Sequence, residues 1–176
     1  MTVLETDRLL LRHFKTSDAP FILALLNEPS FLRYIGDKKV RNLNDAQQYI
    51  VSGPIATYEK HGFGLYQVEL KDSHTPIGMC GLLKREELPE PDIGFAFLPD
   101  FWKQGFAFEA AASVLNDARE RLKLNRILAI VSPSNDASIK LLEKLGLKFE
   151  RNVSMSADRD EVKLFATDSL PDHPVK

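Results

Sequence analysis

The sequence predicts one domain with a mixed α/β sheet, in which antiparallel strands precede a strand–helix–strand crossover. The length of 176 residues suits a single domain with a sizeable core. The hydrophobic share of 44% is typical of a globular protein rather than a disordered one. The predicted order of elements is strand, helices, three strands, helix, strand, helix and two strands. This layout allows two neighbouring central strands to splay apart and form a cleft.

The N-terminal part predicts one strand and then helices. Residues 7–14 form the first predicted strand, and residues 17–20 (S-D-A-P) supply a helix cap followed by an early proline. A second helix is predicted to begin at Asn44 as its cap. Gly53 and Pro54 are expected to interrupt it before a further segment that ends at Lys60.

Three strands are predicted next, at residues 62–70, 76–83 and 92–98. Residues 72–74 form the first turn, and the Pro- and Glu-rich residues 86–91 form the second connection. A long helix follows Gln104, and its apolar side chains share one face. That face is predicted to consist of Phe108, Ala111, Ala112, Leu115 and Ala118.

The remaining elements are short and well delimited. Residues 126–131 are a continuously apolar strand, predicted to be buried on both sides. Residues 134–136 (S-N-D) cap a helix that Gly146 ends. Strands at 148–153 and 161–166 complete the fold. We expect a domain that spans residues 1–168 and a frayed tail at residues 169–176.

Composition excludes several classes of protein. The net charge of −2 gives no electrostatic signal for nucleic acid or a membrane surface. No apolar stretch reaches membrane-spanning length, and the first residues lack a signal-peptide core. Cys80 is the only cysteine, so an intrachain disulfide is impossible and a structural zinc site is not expected. The sequence therefore predicts a cytoplasmic protein without a metal ion.

Residues 101–110 (F-W-K-Q-G-F-A-F-E-A) join a predicted strand to the long helix. The start of a helix leaves backbone N–H groups without internal partners and carries the positive end of the helix dipole. Small side chains at Gly105 and Ala107 allow an anion to approach these groups, whereas Trp102 is expected to pack. The spacing fits neither a Walker loop nor a dinucleotide-binding turn. The loop therefore predicts a pyrophosphate site without specifying the nucleotide.

Three segments carry a resemblance to a known family. Residues 6–12 (T-D-R-L-L-L-R) resemble the motif T-x-R-L-x-L-R. Residues 92–95 and 102–110 resemble E-I-G-Y followed by W-G-x-G-Y-A-x-E-A. Residues 135–147 resemble N-x-A-S-x-x-x-x-E-K-x-G-F. In this order and spacing the chain is similar to GNAT-superfamily acyltransferases, specifically to the RimJ/RimL-type branch.

This resemblance implies an acetyl-CoA pocket and direct transfer of the acetyl group to an amine. The loop positions implied to hold the pyrophosphate through backbone N–H groups are Lys103, Gln104, Gly105, Phe106, Ala107 and Phe108. The strand positions implied to form a bulge that binds the pantetheine arm and the thioester carbonyl are Phe95, Ala96, Phe97 and Leu98. Asn135 is either a helix cap alone or a cap that also contacts the cofactor.

Four positions depart from the family pattern or have two interpretations. Lys103 replaces a glycine, which costs strain at positive φ and otherwise adds a charge for phosphate. Leu142 stands where many members have a tyrosine that meets the leaving thiolate. Ser138 is then the remaining hydroxyl for that role, or merely a residue of the first helical turn. Asp92 replaces a frequent glutamate and is either a proton acceptor or a solvated residue at a strand start.

The leading hypothesis is an N-acetyltransferase that acts on a protein N-terminal α-amine or a small-molecule amine. The alternative is a non-catalytic acyl-CoA-binding or sensing domain, which Leu142 favours and Ser138 opposes. The acidic residues of the 86–92 connection either attract a cationic amine or are solvated surface. Residues 17–60 and 86–92 are expected to select the acceptor. Exposed edge strands leave a monomer and a homodimer both open.

Overall fold

The chain folds around one eight-stranded sheet in the order β1-β2-β3-β4-β5-β6-β8-β7. A computed structural model describes residues 2–168, so the predicted tail at 169–176 lies outside the described residues. Neighbouring strands are antiparallel except for the parallel pair β5–β6, which confirms the predicted mixed sheet. The strands are β1 Thr2–Glu5, β2 Leu9–Arg12, β3 Leu65–Leu70, β4 Pro76–Leu83, β5 Asp92–Phe97, β6 Leu128–Val131, β7 Lys148–Val153 and β8 Val162–Ala166.

Six α-helices cover the sheet. They are α1 Ala19–Leu26, α2 Pro29–Tyr34, α3 Leu43–Ile50, α4 Ala56–His61, α5 Phe106–Glu120 and α6 Asp136–Lys144. A π-helical segment, Val51–Ile55, joins α3 to α4. Short 3₁₀ turns lie at Thr16–Asp18 and Pro99–Phe101.

The sheet separates two apolar layers because successive strand side chains point to opposite faces. On one face, Ile93 of β5 belongs to the same core cluster as Val114 of α5. On the other face, Met79 of β4 belongs to a cluster with Ile22 of α1 and Ile50 of α3. A gap between two central strands therefore connects the α5–α6 side of the molecule with the α1–α3 side.

The N-terminal part differs from the prediction in four ways. Strand β1 and helix α2 were not predicted, and both are short, with four and six residues. The side chain that caps α3 is Asn42, which accepts from the N–H of Asp45 at 2.8 Å, so the prediction of Asn44 was wrong. Gly53 and Pro54 do not interrupt the helical path, because a π-helical turn accommodates them and Pro54 is buried.

Helix α5 is rotated slightly from its predicted orientation. Ala111, Leu115 and Ala118 are buried as expected, but Phe108 is only half-buried. The Lys144 Nζ lies 4.3 Å from the Phe108 ring centroid, so this ring contacts α6. The rest of the buried face consists of Phe106, Ala110 and Val114.

Strands β5 and β6 splay apart, as predicted. Among the described residues their parallel pairing is limited to Asp92 opposite Leu128. The predicted bulge at residues 95–98 is not observed, because β5 pairs with β4 in unbroken register from Asp92 to Phe97. Leu98 continues that pattern with its N–H donating to the Ile77 carbonyl at 2.9 Å. The edge of β5 is therefore exposed by the departure of β6 and not by a bulge.

Candidate active site

A cavity of about 270 Å³ lies at the splay between β5 and β6. From the α6 side it is lined by Asn135, Ser138 and Leu142. From the other side it is lined by Asp92 and by residues that surround α2 and α3. One cavity thus connects the side of the predicted cofactor with a second chamber that is open to another molecule.

The backbone of β5 supplies hydrogen-bond donors to this cavity. The Leu128 N–H donates to the Pro91 carbonyl at 2.9 Å, so Pro91 faces β6. Residues alternate sides along a strand, and therefore Phe95 and Phe97 also face β6. Because β6 has diverged at that level, the Phe95 N–H points into the gap. Phe95 itself lines the cavity.

The loop before α5 has the geometry of an anion site. Gly105 is the N-cap residue, with φ 82°, and provides no capping side chain. The first intrahelical bond runs from the Glu109 N–H to the Gly105 carbonyl at 3.0 Å. The three preceding N–H groups, at Phe106, Ala107 and Phe108, therefore lack partners within the helix. Unpaired donors of this kind are what a pyrophosphate site requires, and the assignment of this loop to pyrophosphate stays a prediction.

The adjoining residues settle two open points about this loop. Lys103 has φ 60°, so the lysine occupies the left-handed region and is strained. Trp102 is 45% exposed, and its indole N–H donates to the Phe97 carbonyl at 2.8 Å. Trp102 was expected to pack, and the structure shows it half-exposed and held against β5 by this hydrogen bond.

Three side chains fix the start of α5. The Thr6 hydroxyl donates to one carboxylate oxygen of Glu109 at 2.5 Å, and the Arg8 Nε donates to the other at 2.8 Å. Arg8 also donates from Nη1 to the Gln104 carbonyl at 3.0 Å, and its guanidinium lies 4.2 Å from the Phe106 ring centroid. Partial burial raises the pKa of Glu109, but the bonds from Thr6 and Arg8 outweigh it and hold the pKa below its ordinary value.

The N-terminus of α6 holds the predicted thiolate partner in place. The Asn135 side chain accepts from the Ser138 N–H at 3.3 Å, which confirms Asn135 as the N-cap. Ser138 is half-buried and Leu142 is buried, and all three residues line the cavity. The Ser132 hydroxyl is a rival that sequence reasoning missed, since Ser132 also lines the cavity.

Asp92 is buried, with 1% of its surface exposed, so the expectation of a solvated strand-start residue was wrong. The Arg85 Nε donates to both carboxylate oxygens at 3.1 Å. Burial raises the pKa of Asp92, and the charge and hydrogen bond of Arg85 oppose that rise. Arg85 was not predicted. The sequence signal that could have indicated Arg85 is its position directly before the connection at residues 86–91, which Asp92 directly follows.

Other residues of this chamber also had no signal in the sequence. Tyr34, Lys38, Tyr49 and Arg159 all line the cavity. Burial raises the pKa of the Tyr49 phenol, and the nearby charge of Arg85 partly opposes it. Of the acidic residues at 86–92, only Asp92 lines the cavity. Glu86 and Glu87 are exposed, which agrees with the expectation of solvated surface. Glu90 is half-buried, and its Oε2 is buried without a hydrogen-bond partner in the described part of the chain.

The structure therefore brings four predicted site residues together around one cavity: Phe95, Asp92, Asn135 and Ser138. The remaining predicted cofactor-binding positions, residues 96–98 and 103–108, lie outside this cavity on the path that leads to α5. Between residues 2 and 168, no helix is both long and apolar enough to cross a membrane. The same part of the chain has no group of three or more histidine, cysteine or acidic side chains that could hold a metal ion.

Comparison with known proteins identifies the class. Residues 8–148 match the family described as "Acetyltransferase (GNAT) domain". The uncharacterized N-acetyltransferase YoaA of Bacillus subtilis (strain 168) is 33% identical over 150 residues, which are 84% of each chain. The chain belongs to the GNAT acetyltransferase family, and it is an acetyl-CoA-dependent acyltransferase.

Solved structures agree with this fold. An acetyltransferase from Agrobacterium tumefaciens str. C58 has a TM-score of 0.81 at 22% identity, over 96% of this chain and 95% of its own. RimL, a ribosomal L7/L12 α-N-protein acetyltransferase in complex with coenzyme A, has a TM-score of 0.81 at 16% identity, over 96% and 98%. At these identities the two likenesses concern the fold, which is that of the GNAT family.

Proposed function

We propose that this protein transfers the acetyl group of acetyl-CoA directly to a primary amine bound between β5 and β6. The observation that carries the proposal is one cavity lined from the α6 side by Ser138, on β5 by Phe95 and from the opposite side by Asp92. A thioester and an amine that enter from opposite faces of the sheet would meet there. Positioning of two bound reactants supplies a large part of the rate enhancement in such reactions.

The cofactor side is assigned to the loop before α5. The N–H groups of Phe106, Ala107 and Phe108 would hold the pyrophosphate, and residues 95–98 would line the path of the pantetheine arm. When bound, acetyl-CoA supplies an activated acetyl group. The Phe95 N–H, directed into the gap, stabilises the oxyanion that develops on the thioester carbonyl. One such donor is typically worth about 2.7–4 kcal/mol.

The chemical step requires two proton movements. As the amine nitrogen bonds to the carbonyl carbon, the carbon–sulfur bond breaks and the nitrogen loses a proton. Asp92 is assigned as the acceptor of that proton, because its carboxylate is inside the cavity and its pKa is raised by burial. Ser138 is assigned as the group that protonates the departing thiolate and then recovers a proton from solvent.

The acceptor is either a protein N-terminal α-amine, as for the ribosomal L7/L12 α-N-protein acetyltransferase RimL, or a small-molecule amine. To test the function, the protein is incubated with acetyl-CoA and a panel of both kinds of amine, and release of the coenzyme A thiol is measured. The expected result is release that depends on one class of amine. Tight acetyl-CoA binding without release from any amine would instead support the alternative of a sensing domain.

The role of Asp92 is tested separately. Asp92→Asn keeps the shape of the side chain but removes the proton acceptor, so we expect turnover to fall by about 10²–10⁴-fold. The acidic limb of the pH–rate profile should disappear in this variant. Glu87→Gln, in the same connection but exposed and outside the cavity, is the control. A normal acidic limb in Asp92→Asn would remove Asp92 from proton transfer.

A further inference from the structure

The chamber opposite α6 carries an excess of positive charge. Three basic side chains line it, from three separate parts of the chain: Lys38, Arg85 and Arg159. The acidic side chains that line it are Asp92 and Asp160. The protein as a whole carries a net charge of −2, so this local excess is opposite in sign to the rest of the molecule.

Of the three basic side chains, only Arg85 is in an ion pair within residues 2–168. Neither Lys38 nor Arg159 forms an ion pair with any residue in the range 2–168. Arg85 pairs with Asp92 through its Nε alone, and its two terminal nitrogens have no hydrogen-bond partner in the described part of the chain. Asp92 therefore anchors Arg85 while the outer edge of the guanidinium keeps its donors available.

The three groups are close enough to affect one another. Desolvation lowers the pKa of Lys38, and the charges of Arg85 and Arg159 lower it further, although the residue as a whole is exposed. Like charges gathered at a cavity wall repel one another, and a bound anion relieves that repulsion. The pyrophosphate of the cofactor does not fill this role, because the loop before α5 lies outside the cavity.

We propose that the acceptor amine carries an oxyanion, either a carboxylate or a phosphate, which Lys38, Arg85 and Arg159 bind. This inference rests on the proposed function and names the substrate class of the same site. A guanidinium edge next to an ammonium suits both oxyanions, since Arg binds them through two parallel hydrogen bonds. Cationic acceptors such as diamines are disfavoured by the same charges. The cavity of about 270 Å³ suits a small molecule or the first residue of a peptide.

The test compares acceptors that differ only in the oxyanion. The panel contains 4-aminobutyrate against its amide, O-phosphoethanolamine against ethanolamine, and putrescine as a cationic amine. Acceptor binding is measured calorimetrically on the protein saturated with coenzyme A, and turnover is measured separately with acetyl-CoA. We expect one anionic amine to bind at least about tenfold more tightly than its neutral partner, the effect of one charge-assisted hydrogen bond. Preference for 4-aminobutyrate over its amide would identify the oxyanion as a carboxylate, and preference for O-phosphoethanolamine over ethanolamine would identify it as a phosphate.

Variants connect that preference with the named residues. Lys38→Gln and Arg159→Gln should each weaken binding of the preferred anionic amine by about tenfold and leave its neutral partner unaffected. Lys39→Gln is the matched control, because it removes the same charge from the next residue, which does not line the cavity. Equal or tighter binding of neutral or cationic amines overturns the inference, as does absence of binding by every anionic amine. Anion-selective binding without turnover would support this inference while refuting the proposed reaction.

Discussion

Arg8 and Glu109, which are 101 positions apart in the chain, form a double contact at the start of α5. The Arg8 Nε donates to one carboxylate oxygen at 2.8 Å, and the Arg8 backbone N–H donates to the other at 3.0 Å. The same guanidinium also binds the Gln104 carbonyl. This contact joins the first and second family motifs. Arg8, which directly precedes β2, supports the loop that is assigned to the cofactor.

The first prediction concerns this contact and pH. Glu109→Gln should lower the free energy of unfolding by about 1 kcal/mol at pH 7, since Arg8 is 45% exposed and solvent screens the pair. The folded-state pKa of Glu109 lies below its ordinary value of 4.5. Its stabilising effect is therefore complete above pH 4.5 and is lost as the pH falls through the folded pKa. Thermal unfolding of both proteins from pH 7 to 3 measures the difference.

Glu120→Gln, at the exposed end of α5, is the control for that experiment. A difference in stability between wild type and Glu109→Gln that stays constant down to pH 3 would contradict the assignment. Arg8→Gln should also weaken acetyl-CoA binding by about 2- to 10-fold, because the Gln104 carbonyl loses one hydrogen bond that holds the loop.

The second prediction concerns Gly105. Gly105→Glu should weaken acetyl-CoA binding by roughly 100-fold, because a carboxylate at the helix start opposes the pyrophosphate. The substitution also adds backbone strain, so it needs a control with the same strain. Gly62 has φ 75° and ψ 7°, close to the 82° and 3° of Gly105, and lies at the end of α4. Calorimetric titration compares the two glutamate variants.

Both variants should lose a similar free energy of unfolding, about 1–2 kcal/mol, from a side chain in the left-handed region. Only Gly105→Glu should lose acetyl-CoA affinity. Equal affinities in the two folded variants would place the pyrophosphate elsewhere.

Elements whose ends depend on neighbouring residues, such as a helix cap, could be predicted from the sequence. Asn135 capped α6 as predicted because a side-chain oxygen satisfies an N–H three residues ahead. Gly146, with φ 94°, ended that helix region for the equally local reason that glycine adopts positive φ. The π-helical turn could not be predicted from the sequence, because Gly53 and Pro54 normally mark the end of a helix. In the structure Pro54 is buried, and tertiary packing keeps both residues in a helical conformation.

Only part of the candidate site could be predicted from the sequence. The predicted part consists of residues that are close together in the chain. The loop before α5 and the cap of α6 are contiguous motifs. The chamber opposite α6 combines Lys38, Arg85 and Arg159 from three separate segments, and only the folded sheet brings these segments together. The burial of Asp92 could not be anticipated either, because it depends on the pairing of β5 with both β4 and β6.

The third prediction separates strain from charge at Lys103. Its φ of 60° costs about 1–2 kcal/mol, which glycine avoids at an entropic cost of about 0.5–1 kcal/mol. Lys103→Gly should therefore raise the free energy of unfolding by up to about 1 kcal/mol, measured in urea. Lys103→Ala removes the charge but keeps the strain, so its stability should not rise.

Lys123→Gly is the matched control, because Lys123 has φ 56° and lies beyond the other end of α5. It should gain stability as Lys103→Gly does and leave acetyl-CoA affinity unchanged. If the Lys103 ammonium binds phosphate, Lys103→Gly and Lys103→Ala lose the same several-fold affinity. If neither Lys103→Gly nor Lys123→Gly raises the free energy of unfolding, the claim of backbone strain at these lysines is wrong.

The last prediction concerns protonation of the leaving thiolate. Ser138→Ala should lower turnover by about 10²–10⁴-fold, the range of general acid catalysis. Acetyl-CoA affinity should change little, since a neutral hydrogen bond contributes only about 0.5–1.5 kcal/mol. The fold should also persist, because Ser138 binds the Asn135 cap through its backbone N–H and not its hydroxyl. Steady-state kinetics with an identified acceptor measures the effect.

Two further serines make this experiment specific. Ser134→Ala is the control, because Ser134 lies just before α6 and does not line the cavity. Ser132→Ala tests the rival hydroxyl, which lines the same cavity and lies 3.2 Å from the Ser134 hydroxyl. Loss of turnover in Ser132→Ala with normal turnover in Ser138→Ala would transfer the role to Ser132. Normal turnover in all three variants would mean that solvent or a phenol of the chamber protonates the thiolate.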